Sequence, residues 1–320
     1  MSATAARALD ARHEKIVIVT RKTALEELVQ RFNTPGQAKF YLEHAGQDFE
    51  RVKAAHERYE SVVAGVRAAI PRSIKTQLLD RDLLPQFTFG PADLVVVVGQ
   101  DGLVSNTAKY SSDRPILAVN PNPSLYDGIL LPFTAETFES ALDAAFTGRA
   151  EIASVTLART ELTDGQTLLA FNDFFVGASS HVSARYTIRV GGREELQSSS
   201  GIIVSTGAGS SGWLQSVYRG AAGVVTALGG RVIPPPNGGR LSWDDEYLVF
   251  AVREPFPSRA TGSSIVYGTI TRDEPLELVS HMGSNGVIFS DGIESDYLRF
   301  NHGAAATISI APQKARLIVS

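Results

Sequence analysis

A chain of 320 residues that is 43% hydrophobic and 20% charged has enough apolar material for two average domains or one large one, and too much for a disordered segment. Its 30 basic and 34 acidic residues leave a formal net charge of -4, which argues against a general nucleic-acid or anionic-membrane binder. The absence of cysteine removes disulfides, thiol nucleophiles and cysteine-ligated zinc or iron centres.

Apolar runs such as Leu94 to Val98 are far too short to span a membrane. The first fifteen residues mix arginines with Asp10 and Glu14 and hold no apolar core of signal-peptide length, so the expected compartment is the cytoplasm. Lys15 to Thr20 (KIVIVT) is a β-branched run and predicts a buried strand, with a helix-compatible stretch following from Thr23. Thr34 and Pro35 then supply a cap and a first-turn proline. Apolar residues recur at Ala38, Tyr41, Ala45, Phe49, Val52, Tyr59, Val63, Val66 and Ile70 before Pro71. The spacing predicts one long amphipathic helix over 34–70, packed on its own domain or against another subunit. Asp93 to Val98 and Pro115 to Asn120 predict further buried parallel strands, and Ala135 to Phe146 a short helix. From about residue 151 the texture becomes short strands broken by Gly, Asn, Asp and Pro. Leu228 to Gly239, rich in Gly and Pro, predicts an extended loop.

Three segments and one turn could carry chemistry. Gly99-Gln100-Asp101-Gly102-Leu103 follows an apolar strand and precedes a helix-compatible stretch over Val104 to Tyr110. That is where open α/β sheets bind ligands, and the glycines let backbone amides approach a phosphate. The same residues also suit an ordinary turn in which Asp101 only caps the helix. Asn172-Asp173 interrupts the apolar run LLAFNDFFVGA, as a site or as a bulge or strand end. Ser205-Thr206-Gly207-Ala208-Gly209-Ser210-Ser211-Gly212 sits between a strand-like GIIV and a helical pattern from Trp213. Its glycine spacing fits a dinucleotide fingerprint, but no acid lies between Trp213 and Trp243 to hold a ribose. It lacks the lysine of a phosphate loop, and Ala208 breaks the serine-hydrolase elbow. A hydroxyl-rich turn opening a helix, suited to phosphate or ribose, survives these tests. The six histidines are scattered without metal-ligand spacing, so no metal ligands are assigned. Asp291-Gly292 after GVIFS reads as a hairpin turn.

Taken in order, the three segments resemble those of the NAD kinase family, within the superfamily that also holds diacylglycerol and sphingosine kinases. The Gly-Gly-Asp-Gly-Thr loop of that family corresponds to Gly99 to Leu103, its Asn-Glu/Asp pair to Asn172-Asp173, and its Thr-x-x-Gly-Ser-Thr turn to Thr206 to Ser211. NDFFVGASS, QSSSGIIVSTGAGSSGW, VREPFPSR and FSDGI look like segments of the mitochondrial-type branch. Gln100, Leu103 and Ser211 depart from the family pattern, and Ser200 stands where most members have aspartate.

The resemblance implies a Rossmann-like α/β domain over about 1–148 and a β-rich, sandwich-like domain over 149–304, with 305–320 returning to the first. It implies an enzyme of NADP biosynthesis that transfers a phosphoryl group from ATP or polyphosphate to the adenosine ribose 2′-hydroxyl of NAD, with Mg²⁺ accompanying ATP and a homodimer or larger homo-oligomer. Asp101 would be the base. Gly99, Gln100, Gly102, Asn172, Asp173, Thr206, Ser211, Gly212, Trp213 and Ser216 would bind the nucleotides, the Trp213 indole offering a stacking face. Arg185 would neutralise a phosphate. Two other functions fit the same residues: a nucleotide-binding regulator without catalysis, suggested by Gln100 and Leu103, and a kinase acting on a sugar or lipid hydroxyl.

Overall fold

The structure is a computed structural model that describes residues 13–320; the compartment expectation, which rests on the first fifteen residues, lies largely outside the described residues. The chain divides into two compact units, one running through Ala153 and taking back Arg316–Ser320, the other comprising Ser154–Ala315. The division falls at 153/154 rather than 148/149, and residues 305–315 stay with the second unit.

The first unit contains β1 (Lys15–Thr20), α1 (Ala24–Phe32), α2 (Pro35–His44), α3 (Phe49–Ala69), β2 (Lys75–Asp80), β3 (Asp93–Val98), α4 (Asp101–Tyr110), β4 (Pro115–Val119) and α5 (Phe138–Phe146). Its strands run parallel in the order β2-β1-β3-β4. Every residue of β3 and β4 is buried, which is why these strands are continuous apolar runs in the sequence. Ile16, Ile18, Val96 and Leu117 pack on Tyr59 and Val66 of α3 and on Phe138 and Leu142 of α5. From β1 the chain steps outward to β2 and then returns to the other side of β1 as β3. Ligands collect at the carboxyl ends of strands at such a reversal.

The helix expected over 34–70 is two helices. After His44 the chain turns at Gly46 (φ +71), whose amide donates to Glu43 O, while that of Gln47 donates to Leu42 O. Asp48 then caps α3, accepting from the amides of Glu50 and Arg51. A glycine in the left-handed region followed by an Asp cap ends one helix and starts the next, although the apolar periodicity runs across both.

The second unit contains most of β5 (Ile152–Leu162), β6 (Thr167–Ala170), β7 (Asp173–Ala178), β8 (Ala184–Val190), β9 (Arg193–Ser199), β10 (Ile202–Ser205), α6 (Trp213–Ala227), β11 (Leu248–Val252), β12 (Tyr267–Ile270), β13 (Leu276–Ser280), β14 (Gly286–Ser290), β15 (Ile293–Arg299) and most of β16 (Ala305–Ile318). One antiparallel sheet has the order β12-β11-β10-β7-β14-β15. A second is ordered β9-β8-β13-β16, with β5 beside β16 and β6 beside β5. Phe174, Val176, Val204 and Phe250 of the first sheet share a core with Tyr186, Ile188, Leu278 and Ile308 of the second. The expected fold class, a mixed α/β unit followed by a β-rich one, is the one observed. The last residues of β16 belong to the first unit, where Arg316 and Leu317 pair with Pro115 and Ile116 of β4. No helix among the described residues is long and apolar enough to cross a membrane.

Candidate functional site

In the first unit, Gly99 leaves β3 in a space that a Cβ would not fit, because it would lie 2.7 Å from Leu103 Cδ2. Gln100 is the N-cap of α4 but makes no side-chain cap bond, and Asp101 is the first helical residue. The half-buried Asp101 does not cap the helix. Its Oδ1 accepts a 2.6 Å hydrogen bond from the amide of Leu130, in the loop after β4. That loop is itself pinned by Asn120, whose amide donates to Tyr126 O and whose Oδ1 accepts from the amide of Asn122. Asp101 is thus oriented from outside its own helix, and among the described residues its Oδ2 accepts no hydrogen bond. Gly102 is exposed, and a Cβ there would meet nothing within 4 Å, so the second glycine of the loop is not a steric requirement. Leu103 is buried against Gly99 and contributes to the core rather than to a ligand surface.

The second unit brings the other two segments into contact, together with the hairpin turn. The run LLAFNDFFVGA is two strands in different sheets, and Phe171-Asn172 is the crossing between them. Strand-to-strand crossing exposes backbone groups that a ladder would otherwise satisfy. Here the Asp291 carboxylate accepts from three successive amides, those of Phe171 (3.0 Å), Asn172 (2.6 Å) and Asp173 (3.3 Å). The Asp291 amide donates to Asp173 O in return. From the other side the Thr206 hydroxyl donates to Phe171 O at 2.6 Å, and the Thr206 amide to Asn172 O at 2.9 Å. The Thr206 oxygen also accepts from the amide of Gly209. Both polar groups of the Asn172 backbone are therefore occupied, and the half-buried side chain is the part left to meet a partner. Asp291 and Gly292 do form the two-residue turn between β14 and β15, both with positive φ as a type I′ turn requires. The sequence identifies that turn, but carries no signal of a contact some 119 residues away.

Within the serine-rich turn, Ser210 is structural: its hydroxyl donates to Gly207 O and accepts from the Leu241 amide. Ser211, Gly212 and Ser216 are exposed at the start of α6. Trp213 does not present a free indole. It stacks on Phe175 with the rings 8° from parallel and carries the Arg253 guanidinium 5.5 Å from its centre. The three side chains form one wall of a cavity of about 760 Å³ that is also lined by Phe289, Arg299 and Asn301. Arg185 is placed elsewhere. On β8, Tyr186 and Ile188 point into the core, so the exposed Arg185 projects from the outer face of its sheet. On β7, Phe174 points into that core, which sends Asp173 to the outer face of the other sheet.

The Asp173 carboxyl is buried and pushed up to about 7 from an ordinary 3.8, first by burial and second by the nearby Asp291 carboxylate. Between those two values the folded protein holds a proton that the unfolded chain has released. The stability Asp173 contributes is therefore full below about pH 4 and is lost as pH rises through 7. Asp173→Asn is expected to be more stable than the parent at pH 8, by roughly 2 to 4 kcal/mol, with the gap closing at pH 4. Urea denaturation at the two pH values checks this.

No family model and no curated protein sequence matches the chain. Solved structures do. A yeast NADH kinase complexed with NADH superposes with a TM-score of 0.60 at 14% identity, over 97% of this chain and 84% of that one. An NAD kinase from Archaeoglobus fulgidus in complex with ATP gives 0.53 at 18% identity, over 95% and 93%. The chain has the fold of these NAD(H) kinases.

Proposed function

We propose that this protein is a kinase that phosphorylates the 2′-hydroxyl of the adenosine ribose of NAD, with ATP as donor. The observation that carries the reading is Asp101, at the carboxyl end of a buried parallel strand, with one oxygen anchored by the Leu130 amide and the other free to act, in a fold shared with NAD(H) kinases.

In this reaction the ribose oxygen attacks the γ-phosphorus of ATP, its proton passes to Asp101 Oδ2, and the bond to the β-phosphate oxygen breaks, releasing ADP. A positioned base contributes about 10²- to 10⁴-fold, and alignment of donor and acceptor supplies much of the remainder. Gly99, Gln100 and Gly102 bring the first amides of α4 to a phosphate. Asn172 both donates and accepts toward the dinucleotide, and Asp173 accepts from it. Ser211, Gly212 and Ser216 offer hydroxyls and amides to the same ligand, while Thr206 acts indirectly by holding the 171–172 carbonyls. Arg185 has no role in this scheme.

Mg²⁺ belongs to the ATP complex and neutralises the phosphates when bound. Among the described residues the one group of metal-type side chains with ligand atoms within 4.8 Å is Glu26, His56 and Glu60. Glu26 is already engaged in capping α1 through Thr23, and an imidazole with two carboxylates does not fit the oxygen-rich octahedron Mg²⁺ prefers.

Incubation of the purified protein with NAD, ATP and Mg²⁺ tests the reading, with NADP followed by a dehydrogenase that accepts only NADP. Steady accumulation of NADP is expected. A second function, that of a non-catalytic nucleotide sensor, is favoured by Leu103, which buries a hydrocarbon where the family loop carries a hydroxyl. Calorimetric binding of NAD and ATP without any product would select the sensor.

A further inference from the structure

The helix α6 follows the serine-rich turn and is apolar along most of its length, with Arg219 as its one charged residue, yet only Leu214 is buried. Two glycines close its end: the amides of Gly229 and Gly230 donate to Thr226 O and Val225 O, with Gly229 at φ +78. The Gly- and Pro-rich loop that follows lies against the helix. Val225, Val232, Ile233 and Pro234 line one groove of about 460 Å³ together with Arg219 and Arg231. Val224 is 61% exposed, Leu228 84% and Ile233 86%. Single exposed aliphatic residues are ordinary, but a contiguous group of them marks a contact surface. None of these residues takes part in the proposed phosphoryl transfer.

The charge around this face has one sign. No acidic residue lies between Glu195 and Asp244, whereas Arg219, Arg231 and Arg240 are all exposed. None of the three forms an ion pair or a side-chain hydrogen bond among the described residues. Glu254, which lines a second groove on α6 with Val224 and Val225, is itself paired with Arg253 at 3.6 Å. The formal charge of -4 on the whole chain hides this local excess. A two-fold contact with a second copy would bring Arg219 and Arg231 of both subunits to one patch, with no acid in either run to answer them. An anionic lipid surface answers both features, since guanidinium groups meet its headgroups while branched aliphatic side chains enter the acyl boundary.

We propose that the second half of α6 and the loop after it, residues 219–236, form a reversible docking face for an anionic lipid bilayer. Leu228 and Ile233 are the inserted side chains, and Arg219 and Arg231 sit on the headgroups. The test is co-sedimentation of the full-length protein with vesicles of phosphatidylcholine alone and of phosphatidylcholine and phosphatidylglycerol in equal parts. It is repeated for Ile233→Asp and for Arg219→Gln combined with Arg231→Gln. All three positions are exposed, so the variants keep the fold, which circular dichroism checks. Binding to the anionic vesicles that falls as salt is raised, and by at least about tenfold in each variant, is expected. A parent that stays in the supernatant, a parent that binds both kinds of vesicle equally, or variants that bind as tightly as the parent overturn the docking face. Sedimentation velocity without vesicles tests the competing occupant. Equal masses for the parent and Ile233→Asp are expected, whereas a self-associated parent whose mass falls in Ile233→Asp assigns the face to a second copy and overturns the lipid surface. The proposal is independent of the kinase reading: NADP formed by a protein that ignores vesicles sinks the docking face and leaves the kinase, and vesicle binding without NADP does the reverse.

Discussion

Asp101→Asn is expected to lower turnover by at least about 10²-fold while leaving the melting temperature close to that of the parent. The two halves of this expectation come from the two oxygens of one side chain. Oδ1 accepts from the Leu130 amide, and the asparagine carbonyl can accept the same bond, so the loop after β4 stays attached. Oδ2 carries the basicity that the reaction uses, and an amide nitrogen in its place cannot take a proton. Asp101→Ala removes both. It should show the same loss of turnover plus a stability loss of about 1–3 kcal/mol, from the unanswered Leu130 amide. Near-normal turnover in Asp101→Asn would remove Asp101 from the base role. Equal destabilisation in the two variants would show that the Leu130 bond is not what holds the loop.

Gly209→Ala is expected to be strongly destabilising and to weaken NAD binding. A Cβ at this position would lie 2.0 Å from Asn172 O and 2.5 Å from its carbonyl carbon, so the clash is with backbone and no side chain can swing away. Either the serine-rich turn or the 171–173 crossing must move, and the second is clamped by Thr206 and Asp291. Overpacking of this kind costs about 3 kcal/mol. The displaced Asn172 should also weaken NAD binding by about tenfold or more, on the scale of one lost polar contact. Gly102→Ala is the control, since a Cβ there meets nothing within 4 Å. Urea denaturation and NAD titration of both variants give the comparison. Parent-like behaviour of Gly209→Ala would contradict the clamped geometry.

How far the sequence reveals this structure depends on whether the determinant is local. KIVIVT, DLVVVV and PILAV announce themselves because strands buried on both faces must be continuously apolar. β2 (KTQLLD) has no such signature, since as an edge strand it exposes four of its six residues. The break between α2 and α3 is written locally, in Gly46 and Asp48, but an apolar rhythm that continues through it masks these signals. The candidate site divides in the same way. Asn172-Asp173 and the serine-rich turn stand out because their residue types disagree with the elements around them. The bond from Leu130 to Asp101 and the three amides gathered by Asp291 join residues 29 and about 120 positions apart, and no spacing rule reaches that far. Arg185 shows the converse. It lies a dozen residues past Asp173, yet strand alternation on β8 and β7 sends the two side chains out of opposite faces of the sandwich.

Phosphorus-31 NMR of the reaction of NAD with ATP and Mg²⁺, run in parallel on the parent and Asp101→Asn, shows whether Asp101 drives phosphoryl transfer to the ribose. A new phosphomonoester resonance on the adenosine ribose is expected to grow as ATP is converted to ADP, and to be nearly absent in the variant. ATP hydrolysed to inorganic phosphate with no ester formed, or an ester formed equally well without the carboxylate, would contradict this expectation.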